Sequence, residues 1–240
     1  MKKNNKITIS ILTFFIIITI ISAAKFIDQW KPDIIVPGPG VTKKANLSDY
    51  FPDLEGEYSD TPVYFLESGN PGGTVLVLGG THSNEPASML TAVLLIENAI
   101  ITEGRMIVIP QANLSAFSHT NPPEGTPGYL SFSTSSGIRK FRHGSRETNP
   151  IHQWPDPHVY INMFGQLLSG SDARNLNRGY PGNPEGNYTE KICFGIMELI
   201  RKEECDLSID LHEASPEYPV INAIVAHDDA VDLAALTILD

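Results

Sequence analysis

A histidine and a glutamate three residues apart stand directly after a predicted strand of this sequence. The apolar run Thr74–Leu78 is followed by two glycines and then by His82 and Glu85, and His212 follows Leu207–Leu211, which is predicted to be another buried strand. Parallel strands share one carboxyl edge, where open α/β sheets bind their ligands, so we expect these three side chains to meet. Two histidines and one carboxylate, with a fourth position open to water, are a common catalytic zinc set.

Each of these residues also has an ordinary structural interpretation. A His-x-x-Glu pair by itself is usually a pair of surface residues, and a histidine at a strand end is often hydrogen-bonded to backbone. Asp210 lies two residues before His212 and so on the same face of the strand. There it either orients the histidine or is simply a carboxylate at the edge of the core. The combination, rather than any single residue, carries the metal hypothesis.

An arginine in a glycine- and proline-rich loop is the third candidate feature. Arg178 lies within the segment Asn175–Gly182. A guanidinium group can bind a carboxylate through two parallel hydrogen bonds, which suits recognition of an acidic substrate. A solvated loop arginine is the alternative interpretation.

Strands alternate with helices elsewhere in the sequence, which predicts an α/β domain with a mostly parallel mixed sheet flanked by helices. Strands are predicted at 74–78, 106–109, 207–211 and 220–226, and helices at 86–98, 189–204 and 228–240. The segment Asn113–Asp172 interrupts this alternation with prolines, glycines and aromatic residues. A connection of that length is usually a functional loop or lid, or is disordered, and its aromatic residues argue against disorder.

Three short segments, in this order, resemble one protein family. GGTHSNEP, NLNRGYPG and IDLHEA are together similar to motifs of the zinc carboxypeptidase superfamily, and most to those of its succinylglutamate desuccinylase/aspartoacylase branch. The resemblance covers about Thr74 to Asp240 and implies a zinc carboxypeptidase-like fold. It implies one Zn²⁺ held by His82, Glu85 and His212, and hydrolysis of an amide bond in a small acyl-amino-acid or peptide substrate.

The same resemblance implies a substrate site. Asn177 and Arg178 match the family's Asn-Arg pair, which holds the free carboxylate of the substrate. An arginine upstream of this pair polarises the scissile carbonyl in the family, and Arg174 and Arg146 are both candidates for it. Two residues before the asparagine the family usually has an aspartate, whereas this chain has Asn175, so a local charge is lost.

The catalytic glutamate of the family lies some tens of residues beyond the last histidine ligand. No glutamate occurs between Glu217 and Asp240. Glu213 is no obvious substitute, because adjacent strand residues point to opposite faces. We therefore expect the general-base glutamate beyond residue 240 and a catalytic domain that is truncated at its C-terminus. A catalytically inactive zinc-site module that binds carboxylated ligands is the alternative function.

The first 24 residues are predicted to lie outside the folded domain. Three lysines precede an apolar run that ends in small residues at Ala24. This is the pattern of a secretory signal peptide, and an uncleaved membrane anchor is the alternative. Either alternative implies an exported protein, which is secreted if the segment is cleaved or anchored to the membrane by residues 7–24 if it is not. The protein would contact the membrane only through this segment. Residues 25–60 are expected to form a lead-in linker, and residues 61–240 the catalytic domain.

Composition and missing motifs argue against several other classes of protein. A net charge of −11 disfavours a nucleic-acid partner. The sequence has neither a Gly-x-Ser-x-Gly elbow nor a His-Glu-x-x-His motif, which argues against a typical serine hydrolase and a zincin protease. Cys193 and Cys205 are predicted to lie about 18 Å apart along one helix, too far for a disulfide, so we expect two free thiols.

Overall fold

The computed structural model of the protein describes residues 2–121, 124, 128–214, 217 and 223–239. Its strands are β1 (Val41–Asn46), β2 (Pro62–Glu67), β3 (Thr74–Leu78), β4 (Arg105–Ile109), β5 (Tyr129–Thr134), β6 (Gly137–Arg142), β7 (Val159–Ile161), β8 (Leu167–Ser169) and β9 (Leu207–Asp210). Its α-helices are α1 (Lys2–Gln29), α2 (Pro86–Asn98), α3 (Leu176–Gly179), α4 (Tyr188–Lys202) and α5 (Val231–Leu239).

A five-stranded mixed sheet lies at the centre of the fold. Its strand order is β1-β2-β4-β3-β9. The pairs β1–β2 and β2–β4 are antiparallel, and the pairs β4–β3 and β3–β9 are parallel. The predicted mixed sheet flanked by helices is therefore confirmed, with β4, β3 and β9 as its parallel part. The prediction that β9 is a buried strand is wrong for the described residues, because β9 lies at the edge of the sheet and Ser208 and Ile209 are exposed. The two antiparallel strands β1 and β2 were not anticipated from the sequence.

Helices cover both faces of the sheet. Leu76 and Leu78 of β3 pack into a buried cluster with α4, whereas Val77 packs into a second cluster with α2. Successive side chains of a strand point to opposite faces, so a strand covered on both sides must be apolar at every position. This is the physical origin of the continuous apolar runs in the sequence.

Helix α4 begins at a capping box. The side chain of Asn187 accepts the backbone N–H of Glu190, and the Glu190 carboxylate accepts the backbone N–H of Asn187. The predicted helix at 189–204 therefore forms, with its ends shifted by one or two residues. Cys193 is buried on this helix, and both cysteines are free thiols, as expected.

Part of the predicted linker at residues 25–60 belongs to the core instead. Strand β1 pairs with β2, and Leu47, Tyr50 and Leu54 are buried in the cluster against α4. The strand escaped prediction because it lies at the edge of the sheet and buries only Ala45. Burial of these side chains makes residues 41–54 an integral part of the folded domain.

Two antiparallel hairpins account for much of the long segment 113–172. They are β5–β6 and β7–β8, and each forms a separate two-stranded sheet. Of the strand predicted at 220–226, positions 220–222 lie outside the described residues and positions 223–226 are not in a strand. Helix α5 accounts for most of the predicted C-terminal helix.

The N-terminal helix α1 is exposed from residue 5 to residue 28. Its segment Asn5–Gln29 is long and apolar enough to cross a membrane, by length and composition alone, and a signal sequence would meet the same test. The chain that follows is docked on the domain. The Trp30 indole N–H donates to the Ser118 carbonyl at 3.0 Å, and Asp33 forms an ion pair with Arg142.

Two glycines carry the chain from the end of β3 towards the candidate site. Gly80 has a φ of +64°, a conformation that side chains rarely tolerate, and a Cβ there would lie 2.8 Å from the ring of Phe117. A Cβ at Gly79 would lie 2.7 Å from the carbonyl oxygen of Ser88. The close packing at both glycines therefore fixes the path of the backbone into His82.

Candidate metal centre

Three side chains converge at the carboxyl edge of the parallel strands, as the sequence predicts. Each of His82, Glu85 and His212 offers a ligand atom, and these atoms lie within 4.8 Å of one another. Nδ1 of His82 is 2.8 Å from Oε1 of Glu85, and Nδ1 of His212 is 2.8 Å from Oε2 of the same carboxylate. The pairing of Leu78 with Asp210 in neighbouring strands places the segments that follow them side by side. We call these three residues the metal group.

The second ring nitrogen of each histidine also faces an acceptor. His82 Nε2 lies 3.0 Å from Oδ1 of Asn175, and His212 Nε2 lies 3.0 Å from Oδ2 of Asp210. A neutral imidazole carries only one N–H, so it cannot donate to an acceptor on both sides. A cation between the Nδ1 atoms and the Glu85 carboxylate, either a proton or a metal ion, resolves this conflict. Nitrogen and carboxylate donors arranged in this way fit Zn²⁺.

Electrostatics at the metal group favour a bound cation. Burial alone would raise the pKa of Glu85, but hydrogen bonds from His212 and His82 outweigh it and hold the pKa well below its usual value. Hydrogen bonds to Asp210 and Glu85 raise the pKa of His212 to about 9. The metal-free site therefore holds a carboxylate beside a protonated histidine, and a metal ion would replace that proton.

The start of helix α2 fixes the position of Glu85. This residue precedes Pro86, the first residue of the helix, and its carbonyl accepts the Ser88 hydroxyl at 2.7 Å. Glu213 reinforces the arrangement, because its carboxylate accepts the backbone N–H of Ala87 at 2.6 Å and its own N–H donates to Glu85 Oε2 at 3.1 Å. The carboxylate of Glu213 is thus bound to the backbone at the start of α2.

One of the two candidate upstream arginines contacts the metal group. Nη1 of Arg146 lies 2.8 Å from Oε1 of Glu85, and the Arg146 side chain is 37% exposed. It therefore stands beside the carboxylate with one side open to solvent. A positive charge in this position can bind an oxygen that approaches the metal group.

The other candidate, Arg174, is occupied elsewhere. Its Nε and Nη2 donate to the two carboxylate oxygens of Asp156 at 2.7 and 2.9 Å, and its Nη1 donates to the Thr148 carbonyl at 2.7 Å. Glu147 adds a third acidic contact at 3.2 Å. The structure thus places the buried Arg174 in an ion-pair network of the long segment, and among the described residues it makes no hydrogen bond or ion pair with the metal group.

Asn177 and Arg178 lie on the short helix α3, next in the chain to Asn175. The Arg178 guanidinium donates to the Asn177 carbonyl at 3.1 Å, and within the described residues it forms no ion pair. An arginine in this state keeps most of its donors available for a carboxylate. The geometry is compatible with the carboxylate-binding role that the motif implies.

The contact between Asn175 and His82 was not predicted from the sequence, in which Asn175 stands out only as the loss of a local charge. The one available signal was its position two residues before Asn177, in the motif that already carried the resemblance. Distance in the chain concealed the contact, because 93 residues separate Asn175 from His82.

The fold and the site define this protein as an α/β domain with a candidate metal centre at the carboxyl edge of a mixed sheet. Comparison with known proteins adds a curated relative, the N-alpha-acetyl-L-2,4-diaminobutyric acid deacetylase of Halomonas elongata. It is 26% identical over 174 residues, which cover 70% of this chain and 37% of the relative. No protein-family model matches the chain.

The chain is also similar to solved structures. One is a succinylglutamate desuccinylase/aspartoacylase from Rhodobacter sphaeroides, at 20% identity and a TM-score of 0.40, covering 65% of this chain and 34% of that one. Another is the product-bound ectoine utilization protein EutE (DoeB) from Ruegeria pomeroyi, at 24% identity and a TM-score of 0.40. The match covers 64% of this chain and 33% of that one. The first of these structures carries the name of the family that the sequence motifs resemble. The chain spans about a third of the length of these relatives.

Proposed function

We propose that the chain is part of an exported zinc-dependent hydrolase that cleaves an amide bond next to a free carboxylate. Deacylation of an N-acyl amino acid and removal of a C-terminal residue from a peptide are the two forms of this reaction. The observation that carries the proposal is the convergence of His82, Glu85 and His212 on one point. The name of the curated relative, a deacetylase of an acetylated amino acid, supports the first form.

His82, Glu85 and His212 would hold one zinc ion. Such an ion supplies a Lewis acid for a carbonyl oxygen and acidifies a coordinated water. The chain's own residues would orient the substrate around it. Arg146 would bind the carbonyl oxygen as that oxygen gains negative charge, and its ion pair with Glu85 supports this role.

Arg178 would fix the other end of the substrate. Its guanidinium is free of acidic partners among the described residues and can bind a carboxylate in a bidentate manner. Together with Asn177 it would set the position of the scissile bond relative to the metal group. The general base that accepts the proton of the water is expected outside residues 1–240, and the activity is proposed for the whole protein.

Helix α1 supports the proposed location outside the cytoplasm. Its apolar side chains are exposed to solvent, which is unfavourable unless a bilayer covers them or the segment is removed after export. Extracellular peptides and acylated amino acids are then the accessible substrates. Intracellular amino-acid catabolism fits such a leader less well.

Metal binding and hydrolysis test the proposal separately. The purified protein is expected to bind one equivalent of zinc, and His82→Ala and His212→Ala are each expected to abolish binding. His158→Ala, at an exposed histidine, is the matched control and should retain the zinc. Stoichiometric zinc in the double alanine variant would contradict the proposed site. Turnover is measured on the whole protein, in which the general base is expected: release of free amine from N-acetyl amino acids would establish a hydrolase, whereas binding without turnover by that protein would favour the carboxylate-binding module.

A further inference from the structure

A cavity of about 470 Å³ lies between the central sheet and the segment that follows α1. Trp30, Ile34 and Ile35 line it from that segment, and Tyr64 of β2 lines it from the sheet. Sites for small molecules in proteins have volumes of roughly 300–1,000 Å³, so the cavity is large enough to hold one. The described residues that line it include none of the metal group, so the two sites are separate.

Tyr64 brings an unpaired hydroxyl group to this cavity. The residue is 3% exposed, and its hydroxyl makes no hydrogen bond with any described residue. Burial raises the pKa of Tyr64, so the hydroxyl keeps its proton at neutral pH and can donate it to an acceptor. A buried tyrosine usually has a partner for its hydroxyl. The cavity therefore offers a donor for which the chain itself supplies no acceptor.

The charged residues of the cavity favour an anion. Lys44 and Arg142 contribute two positive charges and Asp33 contributes one negative charge. The Asp33 carboxylate is engaged, because it accepts hydrogen bonds from Arg142 and Gln111. Lys44 forms no ion pair with a described residue, and its Nζ lies 5.4 Å from the centre of the Tyr64 ring. The cavity thus keeps a net charge of +1 and free donors beside an aromatic ring.

We propose that this cavity binds a small monocarboxylate with an aromatic or aliphatic body. The carboxylate would contact the Lys44 ammonium group and the Tyr64 hydroxyl, and the apolar body would pack against Trp30 and Ile34. The single net positive charge suits a monoanion. Charge-assisted hydrogen bonds are about twice as strong as neutral ones, which favours a carboxylate over the corresponding amide. This site does not depend on the proposed metal site.

Tryptophan fluorescence can report on this cavity alone. The sequence has two tryptophans, of which Trp30 lines the cavity and Trp154 is 75% exposed and does not line it. Phenylacetate is titrated into the full chain in phosphatidylcholine nanodiscs, in a Trp154→Phe background, and phenylacetamide is the neutral counterpart. We expect phenylacetate to change the Trp30 emission saturably and phenylacetamide to bind at least about 10-fold more weakly.

Two adjacent lysines of β1 provide a matched pair of variants. Lys44→Gln removes a charge from the cavity, whereas Lys43→Gln removes one that lies over the ring of Phe65 instead. We expect Lys44→Gln to weaken phenylacetate binding about 10-fold and Tyr64→Phe to weaken it about fivefold. Lys43→Gln should leave the dissociation constant within about twofold of its original value.

Arg178→Gln distinguishes this cavity from the proposed substrate site. Phenylacetate binding reported by Trp30 should be unchanged in this variant, and a loss of binding would assign the carboxylate to Arg178 and overturn the inference. Equal affinities for phenylacetate and phenylacetamide would overturn it as well, and so would equal losses in the two lysine variants. The absence of a saturable change at millimolar phenylacetate would show that the cavity does not bind this class of ligand.

Discussion

Asp33 and Arg142 form an ion pair inside the fold. Nε of Arg142 lies 2.9 Å from Oδ2 of Asp33, and the two side chains are 2% and 3% exposed. The backbone N–H of Arg142 donates to the other carboxylate oxygen at 2.8 Å, and Gln111 donates to Oδ2 at 2.6 Å. The pair connects the segment that follows α1 to the end of β6, in the chain just before Arg146.

Removal of the acidic partner is expected to be strongly destabilising. Asp33→Ala leaves the buried guanidinium of Arg142 without its counter-charge, which should lower the free energy of unfolding by about 3–5 kcal/mol. The double variant Asp33→Leu with Arg142→Met should recover most of this loss, because it removes both charges. Urea unfolding measures both effects. Asp28→Ala, which breaks the exposed pair with Lys31, is the control and should leave stability unchanged.

Deletion of residues 2–24 is expected to separate membrane binding from folding. The contacts of the N-terminal segment with the domain lie at Asp28, which interacts with Tyr129, and at Gln29 and Trp30, all of which the deletion retains. The shortened protein should therefore keep the midpoint of thermal unfolding of the full chain, compared in detergent. It should no longer float with phosphatidylcholine vesicles, whereas the full chain should. Flotation of the shortened protein would contradict an interaction through α1 alone.

Arg178→Gln is expected to weaken the binding of ligands that carry a free carboxylate. Loss of a charge-assisted bidentate contact should reduce affinity about 10- to 100-fold for an N-acetyl amino acid and leave affinity for its C-terminal amide unchanged. Calorimetry with this matched pair of ligands measures the difference. Arg201→Gln, at an exposed arginine paired with Glu198, is the control for charge alone. An equal loss for both ligands would argue against a carboxylate contact.

The positions of the three residues of the metal group could be predicted from the sequence because the ends of two parallel strands determine where these residues lie. Strand β3 is buried and produces an apolar run that is easy to recognise, whereas β9 lies at the sheet edge and mixes apolar with polar residues. Parallel pairing of these two strands brings the residues that follow them to one edge. His82, Glu85 and His212 all lie just after one of these strands or at the helix start beside it. Local pattern and topology together were sufficient for these three positions.

Other features depend on contacts that leave no local pattern. Strand β1 carries polar residues on its exposed side at the sheet edge, so it resembles a linker. Arg174 is a candidate substrate ligand by its place in the sequence, but in the fold its guanidinium pairs with Asp156 and Glu147. Asn175 contacts a residue on a distant segment. In each case the partner is brought near by tertiary folding alone, and neither hydrophobic periodicity nor motif spacing contains that information.

His119 is expected to make the protein sensitive to acid. Both of its ring nitrogens are buried without a hydrogen-bond partner among the described residues. Burial, aided by the positive charge of Arg174, lowers the pKa of His119 from 6.5 to about 4. Above pH 6.5 the ring is neutral in the folded and unfolded states, so it has no effect on stability there. As the pH falls from 6.5 towards 4, the unfolded chain takes up the proton first and the folded state loses stability.

Replacement by a ring that does not titrate should remove this part of the pH dependence. Between pH 8 and pH 5 the wild type is expected to lose about 2 kcal/mol more of its free energy of unfolding than His119→Phe. Urea unfolding of the metal-free proteins at both pH values measures the difference, and other titrating groups cancel because both proteins share them. The ring that replaces the histidine has no polar atoms, so the variant should be at least as stable at pH 8. Parallel pH profiles for the two proteins would show that the His119 ring gains a proton as readily in the folded state as in the unfolded chain.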